Sequence, residues 1–365
     1  MFKYAYRAIE VVFQREKAVK SSVWLIIHAL ILSLSTISAP SAVAQMADEE
    51  EGGRVSVQQE LTSTGPEGML RGTLTLPVAD AAIPDGTPVV LIVPGSGPTD
   101  RDGNSPLGIS AGPYALLAEA LAERGIPSVR IDKRGMFGSV DAIPDANEVT
   151  ISDYGDDVLA WTRTIRKRLP TTGGGTRCVL PLGHSEGGLV VLAVNSRLPN
   201  PCGLILLSTP GRPLGTVLRE QLAANPANAP LLNEADEAIT TLELGERVDV
   251  NALTPALRPL FIPEVQGFLI DVFAYDPAAL IEETRLPVLI VQGMRDLQVG
   301  AMDAQILADS AQEATLFLVP HVNHVLKVVS SDQAQANIAA YSNPDLPIAK
   351  GVVDAVMQFI EQIDG

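Results

Sequence analysis

Cysteine is nearly absent from this 365-residue chain, which has two, Cys178 and Cys202. That excludes a disulfide-dense scaffold and a multi-cysteine zinc or iron–sulfur site. Histidine is also scarce, at four residues, so a metal centre built from imidazoles has little to draw on. Aromatic residues make up 4%, too few for a base-stacking or sugar-stacking platform. Basic residues are outnumbered, 26 Lys plus Arg against 43 Asp plus Glu, for a formal charge of −17. A protein that binds nucleic acid by neutralising phosphates needs the opposite balance. Beyond the N-terminus no apolar run is long enough to span a bilayer.

What is present is a core-forming composition, 46% apolar and 19% charged, with length for one large domain or two ordinary ones. Residues 1–44 read as an export signal. Lys3, Arg7, Arg15, Lys17 and Lys20 precede an apolar run from Val23 to Leu34, and Ala42-Val43-Ala44 forms a small-residue cleavage site. Cleavage before Gln45 is the favoured outcome, a retained anchor the lesser one. The expected location is periplasmic or secreted, with no stable membrane insertion after cleavage. Residues 45–54 form an acidic, flexible leader.

Val55–Leu61 and Met69–Leu76 alternate as an antiparallel strand pair. Thereafter solid apolar strands (89–93, 128–131, 178–182, 203–207, 288–291, 315–319) alternate with amphipathic helices (114–123, 153–169, 187–197, 302–310, 351–363). Ser152 or Asp153 is the expected cap of the second helix. This alternation predicts an α/β fold with a mostly parallel sheet covered on both faces. Residues 55–210 and 287–365 form that core, and the helical, proline-rich stretch 211–286 reads as an inserted cap. Cys178 and Cys202 each begin a strand-like run. Two readings stay open for them, a disulfide between neighbouring parallel strands or two buried thiols.

The chemistry centres on Gly183-His184-Ser185-Glu186-Gly187, a G-x-S-x-G motif between an apolar strand and a helix. A serine there sits on a sharp turn that lifts its hydroxyl above the sheet, and Gly183 and Gly187 remove the β-carbons that would clash. A hydroxyl nucleophile needs a base and an acid to orient it, following the serine in chain order. Asp296, after strand 288–291, is the acid. His321 and His324 both follow the last strand, and His324 has more loop to reach back over the sheet, so it is chosen. His184 points elsewhere. The oxyanion donors are the backbone N–H groups of Glu186 and, in the turn after strand 89–93, Ser96.

Together these residues resemble the α/β-hydrolase fold superfamily, in particular bacterial esterases and serine aminopeptidase-like hydrolases with a PGSGPTDRDGN loop. That loop stands intact at Pro94–Asn104. Asp132-Lys133-Arg134-Gly135 is similar to the family's D-x-R-G turn, Gly293–Asp296 to its acid turn, and Asn323–Lys327 to its histidine loop. The resemblance covers about residues 55–210 and 285–365. The H-G-G-G run of some lipases is absent, which argues against long-chain lipase activity. The implied function is a serine hydrolase cleaving small-molecule carboxylic esters, short acyl groups favoured, with no metal or organic cofactor. Alternatives are an aminopeptidase or amidase, with Glu234, Asp236 and Glu237 of the cap as amine acceptors, an acyltransferase, and a non-catalytic binding protein on the same scaffold. Leu244, Leu253, Leu257, Phe261, Phe268 and Phe273 are expected to shape the pocket or form the cap's own core. Arg101 and Arg134 are expected in structural ion pairs. Oligomeric state is left open.

Overall fold

The computed structural model describes residues 56–78, 83–331 and 333–363. The export signal 1–44 and the leader 45–54 lie outside them. Among the described residues eight strands form one sheet: β1 (Ser56–Thr64), β2 (Met69–Pro77), β3 (Val89–Val93), β4 (Ser128–Ile131), β5 (Val179–His184), β6 (Leu204–Leu207), β7 (Val288–Gly293) and β8 (Ala314–Val319). Their spatial order is β1-β2-β4-β3-β5-β6-β7-β8. β1 pairs with β2, and β2 with β4, antiparallel; all other pairs are parallel.

The helices between the strands are α1 (Pro113–Ala122), α2 (Ile151–Arg168) and α3 (Glu186–Val194), followed by α4 (Leu214–Ala223), α5 (Leu232–Glu243), α6 (Pro263–Phe273) and α7 (Pro277–Glu282). After β7 come α8 (Ala301–Ser310), α9 (Ala334–Ala339) and α10 (Lys350–Ile363). α4 to α7 all fall between β6 and β7.

The solid apolar strands feed two cores at once. Val89, Leu91 and Val93 of β3 join the cluster around Trp161 of α2, while Val90 and Ile92 join the one with α1 and α10. β6 and β7 divide the same way, Leu204 and Leu206 with Val288 and Ile290 on one face, Ile205 and Leu207 with Leu289 and Val291 on the other. This is the period-two alternation of a strand buried on both sides. Each such side chain contributes roughly 1.5–3 kcal/mol over leaving it exposed.

α2 begins earlier than its sequence pattern implied. Thr150, not Ser152 or Asp153, is the N-cap: its Oγ1 accepts the Asp153 N–H at 3.1 Å, and the Asp153 carboxylate accepts the Thr150 N–H at 2.9 Å. That reciprocal box places Ile151 in the first turn, where it is fully buried. α9 has only six residues and no marked apolar stripe, and the sequence reading passed over it.

Cys178 and Cys202 are joined in a disulfide, with Cα atoms 5.7 Å apart. It ties the start of β5 to the segment entering β6, at the edge of the sheet opposite the elbow.

The strand register sets the functional edge. Val93 lies beside Gly183, His184 beside Leu207, Leu207 beside Val291, and Gly293 beside Val319. The parallel strands therefore end level, and the turns after β3, β5, β7 and β8 all leave from one side.

Candidate active site

Ser185 occupies the turn between β5 and α3 with φ 55° and ψ −123°, a conformation an L-residue adopts only under constraint. The constraint is visible. Its N–H donates to Leu207 O at 2.9 Å, and its carbonyl accepts the Gly188 N–H at 2.9 Å. A β-carbon at Gly183 would lie 2.3 Å from Gly187 O, and one at Gly187 would lie 2.3 Å from Val93 O. Both glycines are thus required by backbone crossing. Gly188 is required too, because a β-carbon there would fall 2.0 Å from Thr209 Oγ1; the five-residue motif carried no sign of this.

Asp296 and His324 meet across the same edge. His324 Nδ1 lies 2.7 Å from Asp296 Oδ2, and both side chains are buried. The other carboxylate oxygen accepts N–H groups of Gln298 at 2.8 Å and Val299 at 3.0 Å. Gln292 Nε2 adds a bond to Oδ2 at 3.3 Å. Burial alone would push this carboxyl up. The adjoining His324 and the two backbone donors outweigh it and hold Asp296 below the ordinary carboxylate value. Asp296 is thus kept as an anion facing the imidazole, so His324 carries its proton on Nδ1 and leaves Nε2 as the basic nitrogen. His321 is exposed, at φ 62°, and its carbonyl accepts the Val329 N–H at 2.8 Å. Of the two loop histidines, His324 is the one brought to the carboxylate.

His184 makes contacts its sequence position did not announce. Its Nδ1 lies 2.8 Å from Tyr114 Oη and its Nε2 lies 2.9 Å from the His324 carbonyl oxygen. Tyr114 Oη also accepts the Gly95 N–H at 3.1 Å. The tautomer follows by elimination. Tyr114 has one proton to give, and it goes to Nδ1; Nε2–H then donates to the His324 carbonyl. Burial, reinforced by the nearby His324, pulls His184 down to about 3, so the ring is neutral. The chain from Gly95 through Tyr114 and His184 to His324 joins three turns that are far apart in sequence.

Two cavities meet Ser185. A small one of about 30 Å³ is lined by Ser185, His324, His184 and Ser96, so the elbow serine and the carboxylate-bound histidine face one space. A larger one of about 280 Å³ is also lined by Ser185, together with Ser96 and Glu186. Its walls are mostly apolar, from Leu214, Val217 and Leu218 of α4, Leu260, and Val265, Phe268, Leu269 and Phe273 of α6. The N–H of Glu186, first residue of α3, has no acceptor within the helix. Ser96 borders both cavities, and its neighbour Gly95 packs so closely that a β-carbon there would be 3.2 Å from Ser185 Cβ.

The remaining sequence candidates divide. Of the cap apolar residues, Phe268 and Phe273 line the large cavity. Leu253, Leu257 and Phe261 are core, and Leu244 is exposed. None of the three cap acids lines either cavity: Glu234 accepts the Thr254 N–H, and Asp236 pairs with Arg219 at 2.6 Å. Arg134 is bidentate to Asp157 at 2.7 and 2.8 Å, and Arg101 holds Asp132 at 2.5 and 2.9 Å. Asp100 accepts the N–H groups of Asp102 and Asn104, which closes the loop after β3 on itself.

The strained serine thus follows β5 directly, and the carboxylate-bound histidine comes from beyond β8. A sequence model of the alpha/beta hydrolase family matches residues 89–340. The chain belongs to the alpha/beta hydrolase family. Among curated relatives it is similar to Esterase EstD of Thermotoga maritima, 26% identical over 275 residues. That match takes in 74% of this chain and 60% of EstD, so the chain spans under two thirds of that relative's length. Among solved structures it is similar in fold to Est1E from Butyrivibrio proteoclasticus, with a TM-score of 0.50 and 17% identity over 83% of this chain and 98% of that one. An esterase from Pyrococcus furiosus gives a TM-score of 0.53 at 14% identity, over 91% of this chain and 99% of that one. The eight-stranded, mostly parallel sheet with flanking helices is the α/β-hydrolase fold, and these two solved structures resemble it in fold.

Proposed function

We propose that this chain is an exported serine carboxylesterase acting on small-molecule esters with short acyl groups. The observation that carries the reading is the 2.7 Å contact between His324 Nδ1 and the buried Asp296 carboxylate, on a histidine that shares a cavity with the elbow serine. Ser185 Oγ attacks the ester carbonyl carbon while His324 Nε2 takes its proton. The tetrahedral oxyanion is held by the N–H groups of Glu186 and Ser96, each worth about 3–4 kcal/mol when well placed. Collapse expels the alcohol, which receives the proton from His324, and leaves an acyl-enzyme. Water, deprotonated by the same histidine, then releases the acid and restores Ser185. Asp296 steadies the imidazolium at both stages.

The cavity supports the choice of substrate. Its volume of about 280 Å³ sits at the low end of ligand pockets, which suits a small acyl group against apolar walls. The amine-binding reading loses its acceptors, since the cap acids face elsewhere. A purely binding role leaves the strained elbow and the buried Asp296 carboxylate without a purpose. Export rests on the basic, apolar and small-residue order of residues 1–44.

The test is hydrolysis of p-nitrophenyl esters from two to twelve carbons by the chain starting at Gln45, beside Ser185→Ala and His324→Ala. The expected result is activity on short chains, abolished in both variants. Folded protein with no activity on any ester, or activity that survives Ser185→Ala, refutes the reading.

A further inference from the structure

The peptide joining Gly95 to Ser96 is gripped from two sides. The Gly95 N–H donates to Tyr114 Oη at 3.1 Å, and the Gly95 carbonyl accepts from Lys133 Nζ at 2.7 Å. Lys133 is buried, its side chain 4% exposed, and its ammonium also lies 3.4 Å from Glu186 Oε1. The Tyr154 ring centroid is 5.2 Å away. One ammonium thus touches both the turn after β3 and the first residue of α3, the two segments whose N–H groups border the nucleophile.

Peptide geometry gives this contact a direction. Every described peptide bond is trans, and a trans peptide is planar with its C=O and N–H on opposite edges. Turning the Gly95 carbonyl onto Lys133 therefore turns the Ser96 N–H away from Lys133. A cation on the carbonyl also polarises the amide and strengthens its N–H as a donor. The neighbours of Lys133 are otherwise engaged, Asp132 with Arg101 and Arg134 with Asp157. Only Lys133 of this turn reaches the nucleophile's surroundings.

We propose that Lys133 is a positioning residue for the oxyanion hole: it orients and polarises the Gly95–Ser96 peptide and, through the Glu186 carboxylate, couples that donor to the one beside Ser185. The inference rests on the esterase reading above. If Lys133 only balances the buried charge of Glu186, its loss lowers stability and leaves the transition state alone.

The test compares wild type with Lys133→Met and Lys133→Arg on p-nitrophenyl butyrate. It adds inhibition by a propyl trifluoromethyl ketone, which forms a tetrahedral adduct with the serine, and by butyrate, a ground-state ligand. Outright removal of one oxyanion donor costs about 100- to 1,000-fold in kcat, and misorienting one is expected to cost Lys133→Met about 10- to 100-fold, with KM within about threefold. Ketone affinity falls in proportion, butyrate affinity does not, and Lys133→Arg recovers part of the loss. Should Lys133→Met fail to fold because Glu186 is left buried and unpaired, the double variant Lys133→Met/Glu186→Met removes both charges and keeps both backbone donors; the same kcat and ketone losses are expected. A folded variant with kcat within about threefold of wild type, or with ketone and butyrate weakened equally, overturns the proposal. Wild-type hydrolysis that needs Ser185 but is indifferent to Lys133 refutes this inference alone. Hydrolysis that survives Ser185→Ala removes the esterase reading, and this inference with it.

Discussion

Acid should loosen this protein through His184. The ring is fully enclosed between Tyr114 and His324, and burial pulls it down to about 3 from an ordinary histidine value of 6.5. The unfolded chain takes up a proton below 6.5 that the folded chain refuses. The stability from a neutral His184 is therefore complete above 6.5 and is lost as the pH falls toward 3. Well inside that window the slope is about 1.4 kcal/mol per pH unit. Between pH 6.5 and 4.5, this one ring should cost about 2 kcal/mol. The perturbation is His184→Gln, which keeps a polar side chain and cannot titrate. Urea unfolding at the two pH values, on oxidised protein, gives the loss for each protein. Wild type should lose about 2 kcal/mol more than the variant over that interval. Equal losses would refute the argument, and would mean that His184 is protonated within the fold or that its ring is reached by water.

Two further outcomes follow from packing and covalent structure. Phe268→Ala removes an aromatic wall of the large cavity; the acyl-length optimum should move up by one or more two-carbon steps in the p-nitrophenyl series, with acetate hydrolysis no better than before. Replacing Cys178 and Cys202 together by serine opens a cross-link spanning 24 residues, and loop-closure entropy puts the loss at about 3.5 kcal/mol. Denaturation of the double variant at pH 7 checks this, and a change under about 1 kcal/mol would show that the unfolded chain is not restrained as supposed.

The sequence revealed what is local or periodic. Solid apolar runs such as 89–93 and 203–207, set between amphipathic helices, read as strands buried on both faces, and the order serine, aspartate, histidine is the one the G-x-S-x-G arrangement implies. The nucleophile was legible because its chemistry needs glycines at fixed offsets. His184, Lys133 and Tyr114 were illegible for the opposite reason. Their partners are 140, 38 and 19 residues away, and no spacing rule connects a tyrosine on α1 to a turn after β3. The three cap acids read from sequence either as amine acceptors or as a solvated helix face, and nothing local marks Arg219 as the partner of Asp236. Thr150, Ser152 and Asp153 are all cap residues by type, and only the buried Ile151 settles which turn comes first.

The apolar wall of the large cavity comes mainly from α4, Leu260 and α6, all between β6 and β7, whereas Ser185, Asp296 and His324, the proposed nucleophile, acid and base, stand on turns of the sheet itself. On the proposed function, selectivity and reactivity are written in different stretches of chain. Drift or exchange of residues between 214 and 273 can redraw what enters the pocket while the groups that break the bond keep their places. For this fold, a change of diet is a change of roof, made without disturbing the hearth.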